Sequence, residues 1–307
     1  MRAVDADRSL ASLLASGEHA AFHGKPAAAV GVLEQAVVLA QSQGRSAEVA
    51  AAAWLLGVAL AAGGRYGAGL TVLTPLVDAG QAPDCPPERR LFASLAGATI
   101  ASVHRQLGRH AVAREADLAA LSLSDGSGEA AFDAQLGLAS DAVGLEDPDE
   151  AGVRLAAAEA LVPSRSDEWW RQRVRCGWVQ AEVALLDARA DDAVGPAAAA
   201  VERAEQARAP RHVAKGLLIQ GIAEVSAGHD AGGQTLRRAA TLAESLGTLP
   251  LVWPARALLG ALEDDPAESD RSLAAARSAV LAIAGELPPG VRAQWLARPD
   301  VSALLEG

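Results

Sequence analysis

A near-constant spacing restricts this chain more than any other feature. Small residues sit near the centres of apolar stretches at Gly17, Gly57, Ala101, Gly137, Ala181, Gly221 and Gly260. By subtraction they lie 40, 44, 36, 44, 40 and 39 positions apart. A period of this length marks stacked supersecondary units, none of which buries its own apolar face, so that each is stabilised by its neighbours. The unit is clearest from Trp54 to Val77 (WLLGVALAAGGRYGAGLTVLTPLV). An apolar helix around Gly57 runs into a turn at Gly63-Gly64-Arg65-Tyr66. A second helix then brings Leu70, Leu73 and Leu76 back against the first.

Composition points the same way. Half of the chain is apolar but only 3% is aromatic, and Ala and Leu are strong helix formers. No run of strictly alternating Val, Ile or Thr argues for a sheet. The expected fold class is all-α. Inner turns are expected at Gly24-Lys25-Pro26, Gly63-Gly64-Arg65, Gly108, Asp147-Pro148, Gly228-His229-Asp230 and Asp264-Asp265-Pro266. In Asp147-Pro148-Asp149-Glu150 the Asp caps a helix, the Pro takes its first position and the Glu closes a capping box. Asp265-Pro266-Ala267-Glu268 repeats that logic. Outer loops are expected at Ala82 to Glu88, Ser122 to Gly128 and Pro163 to Ser166. Pro75 and Pro196 fall inside predicted second helices, where proline removes a donor and bends the chain. A late helix start would instead place Pro196 in a first turn.

The segments Gly17…Gly24…Ala29…Leu33…Ala36, Leu56-Gly57…Leu60…Gly64…Tyr66…Leu73 and Gly221…Glu224…Gly228…Leu236…Ala239 resemble tetratricopeptide repeats. The resemblance implies a right-handed α-solenoid of about seven helical hairpins over residues 1–287. Residues 288–307 would form a C-terminal capping segment, with Trp295 and Leu296 covering the last hairpin. The stretch Leu287 to Leu305 (LPPGVRAQWLARPDVSALL) is similar to the tails that close repeat regions of bacterial multidomain regulators. The family implies a partner held on the concave side, which first helices line.

Charge narrows the partner. A net charge of −11 argues against nucleic acid, whose phosphates it would repel. Cys85 and Cys176 form no CxxC pair and read as buried or idle thiols of a reducing compartment. Asp5, Asp7 and Arg8 stand where a signal peptide needs an apolar core. The apolar run from Ala50 to Ala62 is broken by Gly63, Gly64 and Arg65, so no membrane span is expected. A cytoplasmic location, with no membrane or nucleic-acid partner, follows as the expectation.

Candidate chemistry is sparse. Gly228 to Thr235 (GHDAGGQT) matches a phosphate-binding loop except that Gln234 replaces the lysine, and the preceding segment reads as helix where the motif needs a strand. His19 and His23 share a helix face at a spacing some zinc sites use, but no third ligand is near in sequence. His104 and His110 flank the third inner turn. No nucleophile elbow and no H-E-x-x-H occurs. The expectation is no enzyme: no catalytic residue, no metal and no cofactor.

The most distinctive stretch is Glu168 to Glu182 (EWWRQRVRCGWVQAE). On a helix, Trp170, Val174, Gly177 and Ala181 line one face, and Arg171, Arg175, Trp178 and Glu182 line another. With the small marker taken as repeat position eight, Arg175, Trp178 and Glu182 take positions that face the groove in the tetratricopeptide family. The same transfer picks Trp54, Arg105, Gln106, Asp141 and Lys215. Trp54 and Trp178 each precede their marker by three residues, which moves Trp54 from the core to the groove. Arg and Trp are enriched at binding hot spots. The expected function is a non-catalytic scaffold or adaptor that holds a peptide segment or protein surface in its groove. The alternative is a sensor whose groove closes on a small molecule or signalling peptide, and the oligomeric state stays open.

Overall fold

The structure is a computed structural model that describes residues 2–164 and 167–306, with side chains described over 9–164 and 168–306. Arg165 and Ser166 of the loop expected at Pro163 to Ser166 lie outside the described residues, as do the end residues of the two expected segments, Met1 and Gly307. Among the described residues all regular structure is helical. The first eight α-helices are α1 (Arg2–His23), α2 (Pro26–Ser42), α3 (Ser46–Gly63), α4 (Tyr66–Gly80), α5 (Pro87–Gln106), α6 (His110–Leu123), α7 (Gly128–Gly144) and α8 (Pro148–Ala160). A short 3-10 turn (Asp167–Trp169) leads into α9 (Trp170–Leu186), followed by α10 (Ala190–Gln206), α11 (Pro210–Ser226) and α12 (Gly232–Leu246). The last four are α13 (Leu249–Leu262), α14 (Pro266–Gly285), α15 (Pro289–Leu296) and α16 (Pro299–Glu306).

Local chemistry sets the helix ends. Asp147 accepts a hydrogen bond from the Glu150 amide and Asp265 from the Ala267 amide, both at 3.0 Å. Each is followed by proline, whose fixed φ suits a first helical position. The expected capping boxes do not close: Glu150 turns to Arg154 and Glu268 to Arg271 instead. A single turn geometry ends eight helices. In it a residue with positive φ donates back three positions, and the next amide donates back five. Gly44, Gly64, Gly108, Gly228 and Gly247 fill that position in five of them, and Glu146, Ala188 and Arg208 fill it in the other three. Pro196 sits within α10, which starts at Ala190, so the late start does not occur. Pro75 lies inside α4.

Packing follows the period. Each helix packs on its chain neighbour, and α1, α3, α5, α7, α9, α11 and α13 also pack on one another in series. This odd-numbered layer holds the helices that carry the small markers. At Gly57 a Cβ would overlap Leu73, and at Gly221 it would overlap Leu236, so the missing side chain lets the second helix of the unit settle onto the first. The layer then bends back on itself: α1 meets α11 and α3 meets α13.

One expectation needs correction. α3 ends at Gly63, where the glycines were expected to break it, but it begins at Ser46, which makes it 18 residues long and apolar enough, by length and composition, to cross a membrane. The helix packs against α1, α2, α4, α5 and α13, and its Leu55, Leu56, Ala59 and Leu60 are buried. A helix in the middle of a layer has neighbours on every side, which accounts for its apolarity.

The C-terminal pair α15 and α16 closes the array. Trp295 is 1% exposed, stands edge-on to Trp253 with centroids 5.7 Å apart, and shares one apolar cluster with Ile283, Val301 and Leu304. That cluster also takes in Tyr66, Val103 and Leu107 from the first half of the chain. Arg298 donates to the Gln106 carbonyl at 3.0 Å, across 192 positions of sequence. The tail therefore ties the end of α5 to α13 as well as covering α14.

Candidate functional site

Where the odd-numbered layer bends back on itself it forms a partly open cavity of about 190 Å³. All seven odd-numbered helices from α1 to α13 contribute to its wall, so the site exists only because of the closure. Phe22, Trp54 and Arg171 also line a second cavity of about 300 Å³ between α1 and α9, which adjoins the first as a vestibule.

Of the expected groove residues, Trp54, Arg105, Gln106, Arg171, Arg175, Trp178 and Lys215 line the first cavity. Trp54 is 7% exposed, and its indole donates to the Thr99 hydroxyl at 3.3 Å. It also packs at a tilt against Phe22 and Phe92, so it belongs to the core and to the cavity wall at once. Asp141 and Glu182 lie outside the lining. Asp141 is fully buried beneath Arg105, and Glu182 acts through its charge on Lys215 and Arg105.

Arg105 anchors the α5 side. Its Nη1 donates to Asp141 Oδ1 at 2.6 Å, to Asp117 Oδ2 at 3.1 Å and to the Gly137 carbonyl at 3.2 Å. Burial alone would lower the Arg105 pKa, but the two carboxylates outweigh it and raise it. Asp117 reaches in from α6 because Gly137 has no side chain: a Cβ there would overlap the carboxylate. Burial pushes the Asp117 carboxyl well above the usual range, with Asp141 adding to the rise. Asp141 is also raised by burial, against the pull of Arg105.

The α9 and α11 side is a cluster of cations. Arg175 pairs with Asp133, and Arg171 pairs with Glu129 at 3.3 Å while lying 4.8 Å over the Phe22 ring. Arg211 and Lys215 face them from α11. Neither has an ion-pair partner among the described residues, and Lys215 Nζ sits 4.6 Å over the Trp178 ring. Burial, then Arg171 and Arg175, push the Arg211 pKa down to about 10. Burial also lowers Lys215, with Glu182 opposing. His212, 2% exposed, stacks on Trp178 with centroids 5.6 Å apart and meets the edge of Trp170 at 5.0 Å. Burial and the neighbouring arginines hold His212 neutral, well below its usual pKa. Arg211 Nε and His212 Nδ1 are buried without a partner.

Arg211, His212 and Asp133 are cavity residues that the repeat register passed over. A signal for Arg211 was present: it precedes Lys215 by four residues, one turn up the same helix face. The pair also repeats Arg171 and Arg175 at an offset of 40, since 211 − 171 and 215 − 175 are both 40.

The remaining candidates stand apart. The segment before Gly228 is α11, and Thr235 donates its hydroxyl to Glu224 at 2.6 Å, so these residues form a helix-to-helix turn where a phosphate loop would follow a strand. His19 and His23 stack at 5.0 Å, and His23 meets Trp170 at 5.2 Å on the vestibule wall. Burial, then Arg109, push the His104 pKa down to about 4. Cys85 and Cys176 are free and buried, and burial raises the Cys176 thiol to about 11. Neither a comparison with models of protein families nor one with curated proteins finds a match to this chain.

Proposed function

We propose that this chain is a non-catalytic binding protein that takes a small ligand inside its inner layer and acts as a ligand-responsive regulator. One observation carries the reading: α1 meets α11 and α3 meets α13, so the concave side is a cavity of about 190 Å³. A scaffold for a folded partner needs a wide, open groove. The space here is smaller than the roughly 300–1,000 Å³ of drug-sized sites. It is close to the roughly 150 Å³ of an engineered cavity that holds benzene. In this reading the array is a right-handed, tetratricopeptide-like superhelix of about seven hairpins over residues 1–287, closed by 288–307. It works in the cytoplasm, apart from membranes and nucleic acid, in the manner of the sensor regions of bacterial regulators.

The adaptor reading survives for a peptide end. The two cavities share Phe22, Trp54 and Arg171, and a channel of that kind admits an extended segment. A thermal-shift screen of small metabolites and short peptides, run beside a pull-down, separates the readings. Small molecules are expected to raise the melting temperature of the wild type and not of Trp178→Ala. The small-ligand reading fails if no small molecule does so; a protein partner captured by wild type and lost from Arg175→Glu and Trp178→Ala favours the adaptor instead.

A further inference from the structure

The cations of the cavity wall are unevenly matched. Arg105 is held by Asp117 and Asp141, Arg175 by Asp133, and Arg171 by Glu129. Arg211 and Lys215 are left over. They lie four residues apart on one face of α11, opposite the two arginines of α9. Like charges gathered in a partly enclosed space repel one another, and an arrangement of this kind persists when something of opposite charge offsets it. No carboxylate of the chain does so among the described residues. Glu182 acts on Lys215 without reaching ion-pair distance.

The hydrogen-bonding inventory points to the same corner. Arg211 Nε is an N–H donor with no acceptor, and it is buried. His212 Nδ1 beside it is also unpartnered on a side chain that is 2% exposed. Held neutral, the imidazole can turn an N–H toward an acceptor. Two cations and two orphan polar atoms on consecutive turns of one helix suit an acceptor-rich, negatively charged group. Around them the wall is aromatic, with Trp178, Trp54 and Phe22. A second cavity leads outward past Phe22 and Arg171.

Resting on the small-ligand reading above, we propose that the ligand is a small organic anion, with a carboxylate or phosphate on a body about the size of one ring. Arg211 and Lys215 hold the anionic group, His212 supplies a further hydrogen bond, and Trp178 and Trp54 wall the body. The size follows from the volume, because a cavity of roughly 150 Å³ takes one benzene ring.

The test uses the full chain with four probes at matched ionic strength: benzoate, phenyl phosphate, inorganic phosphate and the uncharged benzyl alcohol. Melting temperature and tryptophan fluorescence are read against probe concentration. The expected result is saturable stabilisation by at least one of the three anions and none by benzyl alcohol. Arg211→Gln and Lys215→Gln should each weaken that anion at least about tenfold, the loss of a charge-assisted hydrogen bond. Exposed Arg237→Gln should leave binding unchanged. Without an anion, Arg211→Gln should melt at or above the wild-type temperature, since it removes an unpaired charge, which shows that the variant folds. Silence from all three anions, or equal affinity in wild type and both α11 variants, overturns the proposal. Benzyl alcohol binding as well as benzoate, and losing that binding in Trp178→Ala, overturns the anion while leaving the cavity as the site. If the metabolite screen is silent as well, both readings fall.

Discussion

Asp117 and Asp141 meet beneath Arg105, and each keeps one buried oxygen, Oδ1 of the first and Oδ2 of the second, without a donor. Two ionised carboxylates would leave both oxygens unsatisfied and would repel. One proton held between them satisfies both and leaves a single negative charge for the guanidinium. Burial raises both carboxyls, so the pair holds that proton between them. Asp117→Asn keeps a donor toward Asp141 and an acceptor for Arg105, so chemical denaturation should show a change within about 1 kcal/mol. Arg105→Gln strands the buried acids and should cost about 3–5 kcal/mol. The pH sign follows from the raised folded value. The stabilising contribution of Asp117 is complete below the unfolded carboxylate value of about 3.9 and is lost as pH rises through the folded one. Asp117→Asn should flatten that part of the stability profile, and a slope as steep as that of wild type would sink the shared proton. Arg105 and Asp141 were legible from their repeat register. Asp117 was not, because it lies on α6 and reaches the inner layer only through the gap at Gly137.

At the scale of the element, one turn recurs, and its residues differ in how well they suit it. Gly228 has a φ of 74°, and a Cβ there would meet nothing within 4 Å. Ala188 adopts nearly the same left-handed conformation, at 57°, with a side chain that disfavours it. Gly228→Ala should therefore destabilise by about 1 kcal/mol and Ala188→Gly should stabilise by up to about 1 kcal/mol. Opposite signs in paired denaturation curves would check the claim; equal signs would defeat it. This contrast also explains which turns were readable. Glycine and Asp-Pro announce the ends of α1, α3, α5, α7, α11 and α13. The turns at Ala188 and Arg208 carry residues with no such signature, and tertiary packing holds them in place.

The whole molecule depends on contacts that no local pattern carries. His23 lies 3.4 Å from the Arg208 carbonyl across 185 positions, and Arg298 reaches Gln106 across 192. The tail ties α5 to α13 and α14, so deleting residues 288–307 should lower the melting temperature. It should also speed hydrogen exchange at the turn around Gly108, which packs against Arg298. An unchanged melt would remove the tail from any structural role. From the sequence alone came the helices, most of their turns and the faces that look inward, because periodicity, proline, glycine and capping act over a few residues. What only the tertiary structure decided is that the inward face closes. The curvature of a stack is a sum of small rotations, each set by how side chains such as Leu73 and Leu236 seat against their glycines. No single unit reveals that sum. Closure turned a groove of arginines and tryptophans into a cavity, and it left Arg211 and Lys215 there without an ion-pair partner among the described residues.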